Sequence, residues 1–140
     1  MPLKQTLLTL ASTSLVLASA TVASAMPLQT GVYSDERQRY NITITQLDDQ
    51  ICYVGNSIRG MIVASVTPLP SNTDIYEINQ SVTVLQQAAQ NTLLFGSVGR
   101  MSEFSRLRDW SDADLENAEP QVRECLTTDE PYFYQVEFEI

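Results

Sequence analysis

Alternating apolar and polar residues define two segments of the chain most clearly. In residues 40–47, Tyr40, Ile42 and Ile44 fall on one face and hydroxyl or amide side chains on the other. Residues 132–140 repeat the pattern, with an aromatic or aliphatic side chain at every second position. A period of two, rich in β-branched and aromatic residues, is typical of a half-buried strand. Both segments are therefore predicted strands.

Shorter apolar runs between these segments predict further strands, at residues 51–54, 58–66, 75–78 and 92–98. The segment 68–74 concentrates Pro, Ser, Asn and Asp, which predicts a loop. Residues 81–90 fit either a strand or a helix, because their apolar positions satisfy both periods. Both alternatives stay open from the sequence.

The pattern changes after Gly99. Phe104 and Leu107 are three apart, which predicts helix over 102–108, and Ser111 with Asp114 resembles a helix N-cap and its capping-box partner. A further short helical turn is predicted at 120–126. The sequence thus predicts a mainly β fold, an antiparallel meander or small partly open barrel, with a short helical insertion near 102–126.

The first 25 residues have the composition of a signal peptide. Lys4 precedes an uncharged stretch from Leu7 to Val22, and Ala23-Ser24-Ala25 matches the small-residue pattern before a cleavage site. A membrane anchor is the alternative, although the stretch is short and rich in hydroxyl groups. Cleavage would leave residues 26–140 as a single mature β-rich domain, exported to the periplasm or secreted.

Two cysteines, Cys52 and Cys125, lie in the predicted mature part. In an oxidising compartment a disulfide bond is the default expectation, and two cysteines allow one intramolecular pairing. The alternative is a free thiol nucleophile, but the chain has no His to act as its base.

The chain is an acidic protein, with 17 Asp and Glu against 8 Lys and Arg and a net charge of −9. Loss of Lys4 leaves 7 Arg, 17 acids and a net charge of 7 − 17 = −10. This charge favours a basic or cationic partner and argues against nucleic acid and anionic membrane surfaces. We also expect no stable membrane insertion after cleavage.

The composition restricts the available chemistry. Without His, a Ser-His-Asp triad is excluded, and without Lys the mature chain has no Schiff-base or phosphate-loop lysine. The acidic stretch 109–116 suggests a calcium loop, but counting from Asp112 the sixth and twelfth positions hold Asn117 and Arg123 instead of Gly and Glu. We therefore expect no metal, no cofactor and no catalytic residues.

The candidate ligand-binding residues are one arginine and three tyrosines on predicted strands: Arg59, Tyr53, Tyr76 and Tyr134. Tyrosine hydroxyls lining a barrel would suit a small amphipathic ligand, and an inward Arg59 would orient an anionic group. The alternative is an ordinary sheet core with hydroxyl groups at its rim. Separately, Gly31-Val32-Tyr33 resembles the Gly-x-Trp opening of lipocalins, with Tyr in place of Trp. The resemblance covers three residues and we take no function from it.

These observations favour a non-enzymatic exported module that binds a protein surface or small ligand. The first alternative is a carboxylate-dependent hydrolase of envelope or extracellular glycans, with Asp48, Asp49, Asp112 and Asp114 as the positions to test. The second is a structural envelope protein without a discrete site.

Overall fold

The computed structural model describes residues 26–139, so the predicted signal peptide lies outside the described residues. The described chain folds into nine strands and two helices. In chain order these are β1 (Gly31–Ser34), β2 (Asn41–Leu47), β3 (Gln50–Ser57), β4 (Gly60–Leu69), β5 (Asn72–Ile78), β6 (Val84–Ala89), β7 (Thr92–Ser97), β8 (Arg100–Arg108), α1 (Asp112–Glu116), α2 (Pro120–Thr127) and β9 (Phe133–Glu137).

Strands β1 to β8 form a closed antiparallel barrel. Each strand pairs with the next, and β8 returns to pair with β1, where Tyr33 lies opposite Arg106. The mainly β antiparallel prediction is therefore confirmed. Because consecutive hairpins alternate between the two ends of such a barrel, the β1–β2, β3–β4, β5–β6 and β7–β8 loops share one end. We call this end the mouth.

Alternate side chains of the strands fill the barrel interior. The register places Ile42 opposite Tyr33 and Gly55, and Ile44 opposite Tyr53, so that inward positions from neighbouring strands meet in layers. The buried members of this interior cluster are Leu28, Tyr33, Ile42, Ile44, Tyr53, Ala64, Val66, Ile78, Leu85, Leu93 and Phe104. The core of the domain is thus a side-chain-filled barrel.

The end opposite the mouth is closed by polar groups that form hydrogen bonds with one another. Gln87 is buried, and its amide nitrogen donates to the carbonyl oxygens of Ala89 and Thr92 at 3.0 and 3.2 Å. The Gln87 side-chain oxygen accepts from the backbone N–H of Gln29 at 3.0 Å. The Tyr33 hydroxyl donates to the carbonyl oxygen of Gln29 at 2.6 Å. These bonds hold the segment before β1 across this end.

A second apolar cluster lies on the outside of the barrel, where α2 covers β2, β3 and β4. Val122 and Leu126 pack there against Val54 and Val63. Cys52 on β3 and Cys125 on α2 are fully buried in this cluster and form a disulfide bond, as predicted. No helix within residues 26–139 has the length and hydropathy to cross a membrane.

The predicted final strand is confirmed as β9, which pairs with the first half of β4. Residues 81–90, which the sequence left open between strand and helix, contain strand β6 (Val84–Ala89). The helix predicted over 102–108 is wrong, because these residues belong to β8. Phe104 points into the barrel, and two residues further along the strand Arg106 donates from Nε to the carbonyl oxygen of Thr30 at 2.9 Å. The predicted helical insertion is confined to α1 and α2.

The loop predicted over 68–74 is shortened to a turn at residues 70–71, because β4 continues to Leu69 and β5 begins at Asn72. Pairing of β4 with β3 ends at Val66, and ladder alternation directs the nitrogen of Pro68 toward that unpaired side. Pro68 has no N–H to donate, but no ladder hydrogen bond is lost because no strand pairs with this part of β4 on that side. Strands tolerate proline at such positions.

Candidate binding cleft at the barrel mouth

Four aromatic side chains form the floor of the mouth. The Phe95 ring stacks on Tyr40 and Tyr53 at centroid distances of 5.7 and 5.8 Å. Phe104 meets Phe95 edge-on at 5.8 Å. Offset-stacked and edge-to-face contacts of this kind are the arrangements that aromatic pairs prefer. The strands position the rings because β3, β7 and β8 each direct one of these residues inward, and Tyr40 directly precedes β2.

The hydroxyl groups of Tyr40 and Tyr53 share a short hydrogen bond directly above the Cα of Gly55. A Cβ at Gly55 would collide with both hydroxyl oxygens, so only glycine leaves room for the pair. Burial raises the pKa of both tyrosines, and the neighbouring Tyr40 adds to the rise at Tyr53. Both phenols therefore stay neutral, and one of them donates its O–H to the other.

An open cleft of about 740 Å³ lies over the aromatic floor. The pairing of β1 with β8 runs only from Val32 and Arg108 to Ser34 and Ser105. Within the described chain, the first half of β8 consequently has ladder partners only on β7. The cleft occupies the gap between this half of β8 and the β1–β2 loop. Tyr40, Phe95 and Phe104 form its apolar surface.

Charged groups surround the aromatic floor. Arg37 and Arg100 line the cleft together with three carboxylates, Asp35, Glu36 and Glu103. Asp35 is used internally, because its Oδ1 accepts from the backbone N–H groups of Arg39 at 2.8 Å and Tyr40 at 3.4 Å. Within residues 26–139 the salt bridges join Arg106 to Asp109 and Arg108 to Asp114. Neither cleft arginine takes part in them.

A smaller cleft of about 130 Å³ lies across Tyr40 from the first. Gly55, Ser57 and Arg59 line it on one side, and Gln135 of β9 lines it on the other. Tyr40 therefore lines two neighbouring depressions in the same mouth.

The structure brings two of the four predicted ligand-binding residues to the mouth. Tyr53 is buried, stacks on Phe95 and lines neither cleft, whereas Arg59 lies in the β3–β4 turn, outside any strand, where it lines the smaller cleft. Tyr76 packs against the barrel interior without lining either cleft, and Tyr134 packs in the outer cluster beside α2. The prediction that these residues bind a ligand stays a prediction.

The predicted ligand-binding set does not include the main lining residues of the cleft: Arg37, Tyr40, Phe95, Arg100 and Phe104. A signal existed for Tyr40, which directly precedes β2 and continues the alternation of Ile42 and Ile44. No such signal exists for Phe104, because the residues two positions away on β8 are Ser102 and Arg106. For Arg37 and Arg100 nothing in the local pattern separates them from solvated loop arginines.

The carboxylates named for a hydrolase lie elsewhere. Asp48 and Asp49 form the β2–β3 turn at the opposite end of the barrel, and Asp112 and Asp114 lie on α1 outside it. Hydrogen bonds from Arg108 and from Ser111 lower the pKa of Asp114 to about 2. Among residues 26–139, no group of three acidic or cysteine side chains has an arrangement that could hold a metal ion.

Comparisons with protein-family models, with curated proteins and with solved structures find no match to this chain. The functional argument therefore depends on the geometry and chemistry of the mouth itself.

Proposed function

We propose that the protein is an exported, non-enzymatic binding module whose site is the mouth cleft. The ligand class we propose is a small amphipathic molecule with a flat apolar part and an anionic group. The observation that carries this proposal is the combination, in one open cleft, of a stacked aromatic floor with two arginines outside the described salt bridges.

The dimensions and chemistry of the cleft fit such a ligand. Small-molecule sites are typically clefts of about 300–1,000 Å³ with mainly apolar walls and a few polar groups that fix orientation. Tyr40, Phe95 and Phe104 supply the apolar part of the cleft lining. Arg100 supplies fixed donors for a carboxylate, sulfonate or phosphate group.

Export is supported by the covalent chemistry of the fold. The Cys52–Cys125 bond is typical of proteins that mature in an oxidising compartment. A signal peptide at residues 1–25, followed by passage to the periplasm or the extracellular medium, agrees with this bond. Sequencing the N-terminus of the native protein tests the proposal, with Met26 as the expected first residue.

The binding proposal can be tested with a matched pair of fluorescent probes. The anion 8-anilinonaphthalene-1-sulfonate and the neutral N-phenyl-1-naphthylamine share one ring system and differ in the sulfonate group. We expect both probes to bind, and Phe95→Ala to weaken both. Arg100→Gln should weaken the sulfonate alone, by about tenfold, because a hydrogen bond to a charged group contributes about 1.5–3 kcal/mol.

Arg39→Gln is the control, because Arg39 is an exposed arginine of the same end that does not line the cleft. NMR shift changes on titration should centre on the backbone of Phe95, Gly96 and Ser102. Probe binding that is unchanged in Phe95→Ala, or shift changes centred away from these residues, would contradict the proposal. A basic protein partner, which the net charge favours, would bind the acidic surface outside the mouth. This partner stays a prediction.

A further inference from the structure

The large hydrophobic residues that the described chain exposes are concentrated at the mouth. Ile58, Val82 and Val98 are 76%, 89% and 66% exposed. They lie in the β3–β4, β5–β6 and β7–β8 loops, and each of these loops therefore carries one aliphatic residue. Exposed apolar side chains are individually unremarkable, but three on adjacent loops around one opening indicate a contact surface.

Phe138 extends this apolar surface. Its ring is 48% exposed, and its backbone N–H donates to the carbonyl oxygen of Arg59 at 2.8 Å, which fixes it beside the β3–β4 turn. Leu107, near the other end of β8, is the remaining large hydrophobic residue of this group and is 57% exposed. It provides an internal control away from the mouth.

The positive charge of this acidic protein is also concentrated at the mouth. Arg37, Arg39 and Arg59 lie in its loops, and Arg100 is the first residue of β8. The loop carboxylates are Asp35, which caps the β1–β2 loop, and Glu36. Glu103 is three residues along β8 from Arg100, about 10 Å further from the tips at the usual rise of a strand.

Two further carboxylates, Glu137 and Glu139, flank Phe138, so the five carboxylates at the mouth offset the charge of its four arginines. Insertion of apolar side chains therefore has to supply the binding free energy at this end.

We propose that the mouth docks onto the surface of a lipid bilayer. Ile58, Val82 and Val98 insert at the level of the headgroups, and the arginines contact lipid phosphates. Two features favour a bilayer over a protein partner. The tips are aliphatic, whereas protein hot spots are enriched in Trp, Tyr and Arg. The tips also belong to separate loops around an open cleft, and a fluid surface adapts to them without a matching shape.

Docking in this orientation turns the mouth cleft toward the membrane. An amphipathic ligand could then pass between bilayer and cleft without crossing bulk water. This consequence rests on the proposed ligand function, but the docking itself does not.

Flotation with phospholipid vesicles tests the docking in the absence of any ligand. We expect the purified protein to bind phosphatidylcholine vesicles, and to bind about equally well when half of the lipid is phosphatidylglycerol, because the carboxylates at the mouth offset its arginines. Replacing the three tips together (Ile58→Ser, Val82→Ser and Val98→Ser) should lower partitioning about tenfold or more, because burial of their apolar surface is lost. Leu107→Ser should leave it unchanged.

All four substitutions are at exposed positions, and an unchanged thermal transition will show that the variants are folded. Failure to bind either vesicle, or equal binding by the triple variant and the wild type, overturns the proposal. So does capture of a protein partner through the same tips without vesicle binding. Fluorescent-probe binding is measured without vesicles, so loss of one function can be recognised independently of the other.

Discussion

Removing the disulfide bond tests how the helical segment is held to the barrel. The change is the double variant Cys52→Ala and Cys125→Ala, which avoids leaving buried hydroxyl groups in an apolar cluster. The two cysteines are separated by 73 residues. In the loop-entropy model, a closed loop of that length destabilises the unfolded state by about 4.4 kcal/mol at 25 °C.

A loss of this size is a large fraction of the stability of an ordinary domain, which is about 5–15 kcal/mol. We expect the urea midpoint of the double variant to fall by about 1.5 M or more, given the usual slopes for small proteins. The assay is equilibrium urea unfolding followed by two probes. Fluorescence of Trp110, which packs beside the outer cluster, reports the helical segment, and far-UV circular dichroism reports the barrel.

The two probes separate local detachment from global unfolding. Without the bridge, α2 is attached to the barrel mainly through Val122 and Leu126, so we expect the Trp110 transition to precede the loss of strand signal. Wild-type protein treated with a reductant under unfolding conditions is the chemical control. Coincident transitions with a midpoint within about 0.3 M of the wild type would refute the reasoning that the bridge holds this segment in place.

Two further predictions concern single side chains. Gly55→Ala should destabilise the fold by about 1–3 kcal/mol through overpacking against the hydroxyls of Tyr40 and Tyr53, seen as a lower urea midpoint and altered near-UV dichroism, and an unchanged midpoint would contradict this. The pKa of Asp114 is lowered from 3.8 to about 2 chiefly by Arg108, so its stabilising effect should be present above pH 4 and lost as the pH falls from about 4 through 2. In Arg108→Gln the NMR titration midpoint of Asp114 should move back toward 3.8, and a midpoint that stays near 2 would rule out the arginine as the cause.

The sequence predicted those strands whose two faces differ in polarity. In β2, Ile42 and Ile44 face the interior and Thr43 and Thr45 face outward, so the period of two was visible. The disulfide was predictable because two cysteines allow one pairing. Closure of the barrel was not predictable, since it depends on β8 pairing with β1 across 70 or so residues of chain, and the apolar residues of β8 recur every three positions rather than every two.

The mouth cleft was beyond prediction for a different reason. Its aromatic floor gathers Tyr53, Phe95 and Phe104 from three strands and Tyr40 from the loop before β2, and their proximity follows from the barrel register rather than from any local pattern. Arg59 was assigned to a strand because its neighbours are apolar. The structure instead places it in a two-residue turn, where Ile58 is exposed rather than buried.

Net charge illustrates how far composition alone can carry a functional argument. The net charge of −10 over residues 26–140 favours a cationic partner, but a ligand at the mouth would respond mainly to the charges close to it. The nine residues of β8 span about 30 Å, or about 23 Å along the axis of a tilted barrel. Physiological salt screens exposed charges over about 8 Å, so Asp48 and Asp49 at the far end contribute little there. The proposed ligand of the mouth would therefore respond mainly to Arg37, Arg100 and the neighbouring carboxylates, whatever the sign of the whole molecule.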